Sequence, residues 1–291
     1  MKLCLGTAQI GMPYGINNDS EYSLRNAKEL IRVALDNGIY FFDTAQAYGQ
    51  AESILGELIA EHEEYRKCIE IVTKLGIDEG NLRFQVEETL KKFNTKSIDG
   101  CLLHDSEMMY DASIISDIIA IKKEGVVGNI GVSLYKAEDA LFAANQEWVD
   151  YIQIPYNVFD QRLDRNNFFQ VAKENGKTVF ARSVLLQGLL GMEPLKVSIK
   201  LPMAHEEIIR FNKIVGKYCI TPIEAAVQFV KAKSEIDFLV FGVDNKEQLC
   251  SFLRIFNREE QQLEMIEELK VAFRNVDERI IMPPLWAKGK S

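Results

Sequence analysis

Four residues of the chain have the side-chain types that a proton-transfer site needs: Asp43, Tyr48, Lys74 and His104. A free phenol titrates at about 10, too high for efficient exchange near neutrality. A lysine cation beside it stabilises phenolate and lowers that value, and an adjacent aspartate holds the lysine charged and oriented. A histidine can hydrogen-bond a carbonyl oxygen and fix its angle. Together they would protonate an oxygen while a hydride arrives at the attached carbon. Taken singly, each has an ordinary use: Asp43 as a cap, Tyr48 in packing, Lys74 in solvent. His62 and His205 stand beside glutamates and read as surface residues, whereas His104 follows the apolar run Cys101-Leu102-Leu103.

The elements that would position these residues are eight short apolar runs. They are Leu3–Leu5, Ile39–Phe42, Ile69–Val72, Ile98–Leu103, Gly128–Val132, Tyr151–Ile154, Thr178–Ala181 and Phe238–Phe241. Amphipathic stretches separate them, among them Ser23–Asn37, Glu52–Glu64, Arg83–Phe93, Ile114–Glu124 and Asn166–Asn175. Gly38, Gly125 and Gly176 follow three of these, where a left-handed residue ends a helix. Short buried strands alternating with helices indicate βαβ units and a parallel sheet. Eight units in 291 residues favour a closed (β/α)8 TIM barrel over an open doubly wound sheet. The longest departure runs from Ser183 to His205 and contains Pro194 and Pro202. An extra helix over Glu259–Phe273 and a short tail complete the expectation of a single domain over residues 1–291.

In such a barrel, chemistry gathers where strands end and βα loops begin. Asp43 and Tyr48 follow the second run, Lys74 the third and His104 the fourth; Ser133, Gln153 and Arg182-Ser183 mark the fifth, sixth and seventh. Four such residues at successive strand ends are a poor match to chance.

With 34 basic against 43 acidic residues, the formal charge is −9, which excludes bulk attraction to nucleic acid. The balance of 47% apolar and 26% charged residues is that of a globular protein, not a disordered or collagen-like one. No apolar run approaches the roughly 20 residues that span a bilayer. Met1–Gly6 lacks the basic lead and apolar length of a signal peptide, so a cytoplasmic location without membrane partners is expected. The five cysteines form no CxxC pair; Cys4, Cys68 and Cys101 lie in or beside apolar runs and read as reduced core residues. No HExxH or comparable ligand motif occurs, and no metal is expected.

The chain resembles the aldo-keto reductase superfamily over nearly its whole length. The resemblance is carried by Leu5-Gly6-Thr7-Ala8, by Gly38–Gly49 with its Asp43-Thr44 and Tyr48-Gly49, and by Glu52 and Leu55-Gly56. Val72-Thr73-Lys74, Leu102-Leu103-His104, Gly128–Ser133 and Gln153–Asn157 continue it. It implies a tetrad in which Tyr48 is the general acid/base, Lys74 and Asp43 tune it, and His104 orients the carbonyl. Neither GxGxxG nor GxxxxGK[ST] is present, so a Rossmann nucleotide site is not supported; the resemblance instead implies a nicotinamide dinucleotide lying extended over the barrel mouth. Ser133 and Gln153 match carboxamide-binding positions; Thr7 and Asp43, with Gly6 beside them, match residues near the nicotinamide ribose. Arg182-Ser183-Val184-Leu185-Leu186-Gln187-Gly188 matches the pyrophosphate segment. Val240–Gln248, including Gly242, Val243 and Gln248, aligns with the 2′-phosphate and adenine site. NADPH is the expected cofactor and NADH the alternative.

Several departures bear on that choice. Leu134 stands where many members have asparagine, and Arg182 where many have an aromatic ring, though a planar guanidinium can also stack. Gly242, Gln248 and Phe252 replace a lysine, an arginine and an asparagine found in some members. Asp244 would repel a 2′-phosphate if turned inward, unless Lys246 or Arg254 compensates.

Ile10, Met12, Tyr14, Met108–Tyr110 and Phe159 are candidates for a substrate pocket or for plain packing. The short loop after the fourth strand and the short tail argue against an elaborate steroid-type pocket; resemblance to bacterial family members implies a small or sugar-like aldehyde or ketone. The reading is a small-molecule carbonyl reductase, or the reverse alcohol dehydrogenase. The alternatives are a cofactor-binding regulatory protein with little turnover and a Schiff-base aldolase using Lys74. The sequence assigns no oligomeric state.

Overall fold

The computed structural model describes residues 1–16, 24–77 and 81–289. Eight strands appear where the apolar runs predict them: β1 (Lys2–Gly6), β2 (Phe41–Asp43), β3 (Glu70–Leu75), β4 (Ile98–Leu103), β5 (Val127–Ser133), β6 (Tyr151–Pro155), β7 (Thr178–Arg182) and β8 (Phe238–Phe241). Neighbours are parallel, and β1 pairs with both β2 and β8, closing a (β/α)8 barrel. Four strands run past their apolar stretch to include Asp43, Lys74, Ser133 and Arg182.

The barrel interior explains why these polar residues share one end. Cys4, Phe41, Val72, Leu102, Tyr151, Phe180 and Phe238 form an apolar layer inside it, with Phe180 and Phe238 stacked at 4.5 Å. Successive strand residues alternate faces. Two positions further along each chain are therefore Gly6, Asp43, Lys74, His104, Gln153, Arg182 and Val240, a ring at the C-terminal mouth. The apolar layer seals the barrel beneath this ring, so charges there sit on a floor that water does not reach.

Helices cover the outside and bury a second, larger core against the strands. The stretch Ser23–Asn37 forms helix Leu24–Asp36; Ser23 lies outside the described residues. The expected helix Glu52–Glu64 breaks at His62 (φ −141°, ψ 82°), giving Ala51–Glu61 and a single turn Glu63–Arg66. Asn166–Asn175 shortens to Phe168–Glu174 behind a 3-10 turn, Arg162–Arg165. The extra helix starts at Leu263 rather than Glu259. Arg258 and Gln262 are used instead to bind Glu224 and Gln228 of helix Pro222–Lys231. The irregular stretch after β7 contains helix Pro194–Lys200 between two 3-10 turns. Cys4 and Cys101 are buried as expected, but Cys68 is exposed, because it lies in the turn that precedes β3.

Helix Ala51–Glu61 sits so close to helix Leu82–Phe93 that a Cβ at Gly56 would stand 2.0 Å from the Lys92 carbonyl oxygen. Backbone, not a flexible side chain, occupies that space. Gly56→Ala should therefore destabilise the fold by about 1–3 kcal/mol through overpacking. Urea unfolding would show a lower midpoint at unchanged slope; a midpoint equal to that of the native chain would contradict the close approach.

Candidate active site

The mouth is organised around one buried cation. Lys74 Nζ donates to Asp43 Oδ1 at 2.6 Å, to the Thr44 carbonyl at 3.0 Å and to the Tyr48 hydroxyl at 3.3 Å. An ammonium has three protons, so these bonds use all of them. The Lys74 and Asp43 side chains are 1% and 6% exposed, which makes the pair a buried one. Gln153 Nε2 donates to the same Asp43 Oδ1 at 2.7 Å, and Ser133 Oγ donates to Gln153 Oε1 at 3.2 Å. Thr7 closes the other side, its hydroxyl donating to the Asp43 carbonyl at 3.1 Å.

Tyr48 comes from the loop after β2, which turns back through Tyr48 N–H to Ala45 O and then enters helix Ala51–Glu61. That loop is fixed from behind by a network that local sequence signals do not reveal. Gln46 Nε2 donates to the Gln85 carbonyl and to Thr89 Oγ1, at 2.6 and 2.9 Å. Glu52, 1% exposed, accepts from Thr73 and Thr89 hydroxyls and from Lys92 Nζ at 2.8 Å. The available signal was a glutamate on the helix face shared with Leu55 and Ile59, where an apolar residue is the norm.

The electrostatics follow from burial. Burial is the largest influence on Lys74 and opposes its charge, yet Asp43 and Tyr48 outweigh it and raise its pKa, so the cation persists. For Tyr48 the balance goes the other way. Burial pushes the phenol above its ordinary value, and Lys74 and Arg182 pull it down by less. The expected lowering by Lys74 is present but does not win, because the phenol is more desolvated than its sequence position indicates. Tyr48 is therefore a protonated donor at neutrality.

His104 lies edge-on to Tyr48, ring centroids 6.2 Å apart at 86°. Burial first, and the Lys74 charge second, lower its pKa to about 4. The imidazole is neutral at physiological pH and can donate one N–H without being a proton source. An unfolded histidine holds its proton up to about pH 6.5. Between those values the unfolded state binds more protons, so stability rises with pH. Acidification through this window should cost on the order of 2–3 kcal/mol, and the loss is complete below the folded-state value. NMR titration of His104 should give a midpoint of about 4; an ordinary midpoint near 6.5 would contradict its burial.

A groove with a cavity of about 350 Å³ opens beside Tyr48 and runs to helix Lys246–Phe256. Of the residues expected at a cofactor, Gly6, Asp43, Arg182, Ser183, Leu185, Gln187, Gly188, Gly242, Val243 and Gln248 line it. Thr7, Ser133 and Gln153 do not line it; they are buried below, bonded to Asp43 and to one another as described. Gln9, Tyr14, Asp244, Ser251, Ile223 and Ile255 also face the groove. Of the candidate substrate residues, Tyr14 alone lines it, its hydroxyl accepting from Gln187 Nε2 at 3.2 Å. Ile10, Met108, Met109 and Phe159 are buried in the core. Phe159 packs on Phe211 and Phe273, and exposed Tyr110 donates to Asp139. Met12, partly buried, does not line the groove.

The β7 loop has the features of an anion cradle. Ser183, Leu186, Gln187 and Gly188 adopt positive φ (57°, 47°, 53° and 92°), a conformation that costs non-glycine residues energy and recurs at functional sites. The backbone N–H groups of Val184 and Leu185 donate to no acceptor among the described residues. Such unpaired amides in a tight loop suit phosphate oxygens. Arg182 stacks on Tyr135, 4.0 Å from guanidinium carbon to ring centroid, and donates to the Leu134 carbonyl at 3.0 Å.

Fold and site together define a parallel eight-stranded barrel with a phenol hydrogen-bonded to a buried lysine at its C-terminal mouth, beside a glycine-walled groove. The chain belongs to the aldo/keto reductase family, whose sequence profile matches residues 2–271. It is similar to aldo-keto reductase YhdN of Bacillus subtilis, 30% identical over 203 residues, covering 65% of this chain and 60% of that protein. It is also similar to a 6-dehydroglucose reductase of Agrobacterium fabrum, 30% identical over 158 residues, covering 47% of this chain and 53% of the other. The chain thus spans between half and three fifths of the length of these two relatives. In fold it resembles the solved structure of PA4992 of Pseudomonas aeruginosa (TM-score 0.66, 23% identity, covering 87% of this chain and 88% of that one). No helix among the described residues is long and apolar enough to cross a membrane.

Proposed function

We propose that the chain reduces the carbonyl of a small, sugar-like aldehyde or ketone, using a nicotinamide dinucleotide held in the groove. The observation that carries this reading is the Tyr48 hydroxyl, 3.3 Å from a lysine fixed by Asp43, at one end of that groove. The groove fits such a cofactor. Gly6, Gly15, Gly188 and Gly242 keep its wall low, a Cβ at Gly188 would meet nothing within 4 Å, and the Val184 and Leu185 amides suit the pyrophosphate. The stacked Arg182 guanidinium offers a planar surface to the nicotinamide.

When bound, the reduced nicotinamide supplies the hydride. Tyr48 gives its proton to the carbonyl oxygen, and Lys74 stabilises the phenolate left behind. His104, neutral, donates a hydrogen bond to the same oxygen and sets its angle toward Tyr48. Asp43 and the Thr44 carbonyl keep the Lys74 ammonium aimed at the phenol. Gln153 and Ser133 hold Asp43 from beneath, so the proton donor is in place before substrate arrives. The sugar-like preference is supported by the 6-dehydroglucose reductase among the relatives.

The test is a panel of short aldehydes and keto-sugars incubated with NADH or NADPH, followed by loss of the reduced nicotinamide absorbance and by product analysis. The alcohol of at least one sugar-like substrate is expected. Dinucleotide binding without turnover of any carbonyl would contradict the reading and favour a binding-only role.

A further inference from the structure

The outer end of the groove bears on which dinucleotide it admits. With the nicotinamide against Tyr48, an extended dinucleotide places its adenosine half at the far end, against helix Lys246–Phe256. That end is lined by Gly242, Asp244, Gln248, Ser251 and Phe252. Among the residues lining the groove, the charged ones are Asp43, Asp244 and Arg182, and Arg182 is committed at the other end to Tyr135 and the Leu134 carbonyl. The two cations of the helix do not line the groove. Lys246 is exposed and paired with Glu29 at 2.8 Å, and Arg254 Nε donates to the Cys250 carbonyl at 3.4 Å.

Asp244 is held in place by Gln248 of the helix that follows it. Its N–H donates to Gln248 Oε1 at 2.9 Å, and Gln248 Nε2 donates to its Oδ2 at 3.3 Å. Asn245 Oδ1 in turn accepts the Gln248 N–H at 2.9 Å, which fixes the start of the helix. Asp244 Oδ1 keeps no partner among the described residues and stands as an acceptor. Gln9 covers Gly242: a Cβ there would come 1.9 Å from Gln9 Oε1, so a neutral amide occupies that wall.

A phosphate brought here would lose hydration, meet a carboxylate and find no cation among the described residues that line this end of the groove. A ribose diol would instead find an acceptor for its hydroxyl, the role an acidic residue fills in other dinucleotide folds. We propose that Asp244, braced by Gln248, makes the chain selective for the dinucleotide without a 2′-phosphate, NADH over NADPH. The proposal rests on the dinucleotide reading above and runs against the expectation that the family resemblance supplies.

Fluorescence titration of the native chain, Asp244→Asn and the double variant Asp244→Asn/Gln248→Arg, each with NADH and NADPH, tests it by binding alone. The native chain should bind NADH tighter by about tenfold or more. Asp244→Asn should bring the two dissociation constants together. The double variant should favour NADPH, with a preference that shrinks as salt is raised. Equal or tighter NADPH binding by the native chain, or an unchanged ratio in Asp244→Asn, overturns the selectivity while leaving the dinucleotide site intact. Binding of neither dinucleotide to the native chain overturns the site and the selectivity together.

Discussion

Tyr48→Phe should lower turnover by about 10²–10⁴-fold, the usual contribution of a positioned general acid. The substitution removes the hydroxyl that Lys74 reaches at 3.3 Å and keeps the ring, which packs edge-on to His104. Its effect on stability should be about 1–3 kcal/mol, because one proton of the buried Lys74 ammonium loses its acceptor while the bonds to Asp43 and Thr44 remain. Dinucleotide affinity should change little, since the phenol oxygen acts on the substrate. The separation is diagnostic: kcat falls by orders of magnitude while the dissociation constant holds. A variant that retained more than a tenth of native turnover would remove Tyr48 from the chemistry. Because the Tyr48 pKa is raised, native reduction should also stay flat from about pH 6 to 9 and decline only above the ordinary phenol range.

The second large effect concerns the buried ion pair. Lys74→Met leaves the Asp43 carboxylate, 6% exposed, with the Gln153 amide as its remaining side-chain donor. Stripping one partner from a buried pair costs about 3–5 kcal/mol, much of it the penalty of an uncompensated charge. Asp43→Asn in the same chain removes that charge, and the Asp43→Asn/Lys74→Met variant should recover about 1–3 kcal/mol relative to Lys74→Met alone. Neither variant should recover turnover, because the phenolate left after proton transfer would have no cation beside it. Denaturant unfolding of the native chain, Lys74→Met, Asp43→Asn and the double variant measures the coupling. Additive losses would mean that Lys74 and Asp43 do not interact as the 2.6 Å contact indicates.

Much of the architecture was readable because it is local. Eight apolar runs separated by amphipathic stretches have few closed solutions, and the ring of polar residues at their ends falls on one face by strand alternation alone. What escaped the sequence is non-local. The network of Glu52, Thr73, Thr89 and Lys92 that braces the Tyr48 loop joins two helices and a strand, and no spacing rule connects them. The upward shift of Tyr48 depends on how completely neighbouring elements exclude water, which outweighs the lysine that its sequence context points to. Phe159, Met108 and Met109 show a further limit: apolar residues in loops at the mouth look the same whether they face a substrate or the core, and these face the core. Cys68 erred the other way, since adjacency to an apolar run does not place a turn residue inside it. The bond pattern joining Asp244 to Gln248 was hinted at by their four-residue spacing on a helix start, but only the fold shows that no described cation reaches that end of the groove.

Hydride transfer from the groove to a carbonyl carbon at the Tyr48 mouth is the step we propose. Its most direct measurement uses NADH or NADPH deuterated at the transferring C4 position, with product analysed by NMR after turnover in ordinary water. The expected result is one deuteron on the carbinol carbon of the product, none lost to solvent, and no labelled product from Tyr48→Phe on the same timescale. Unlabelled alcohol, or deuterium appearing in water, would contradict it.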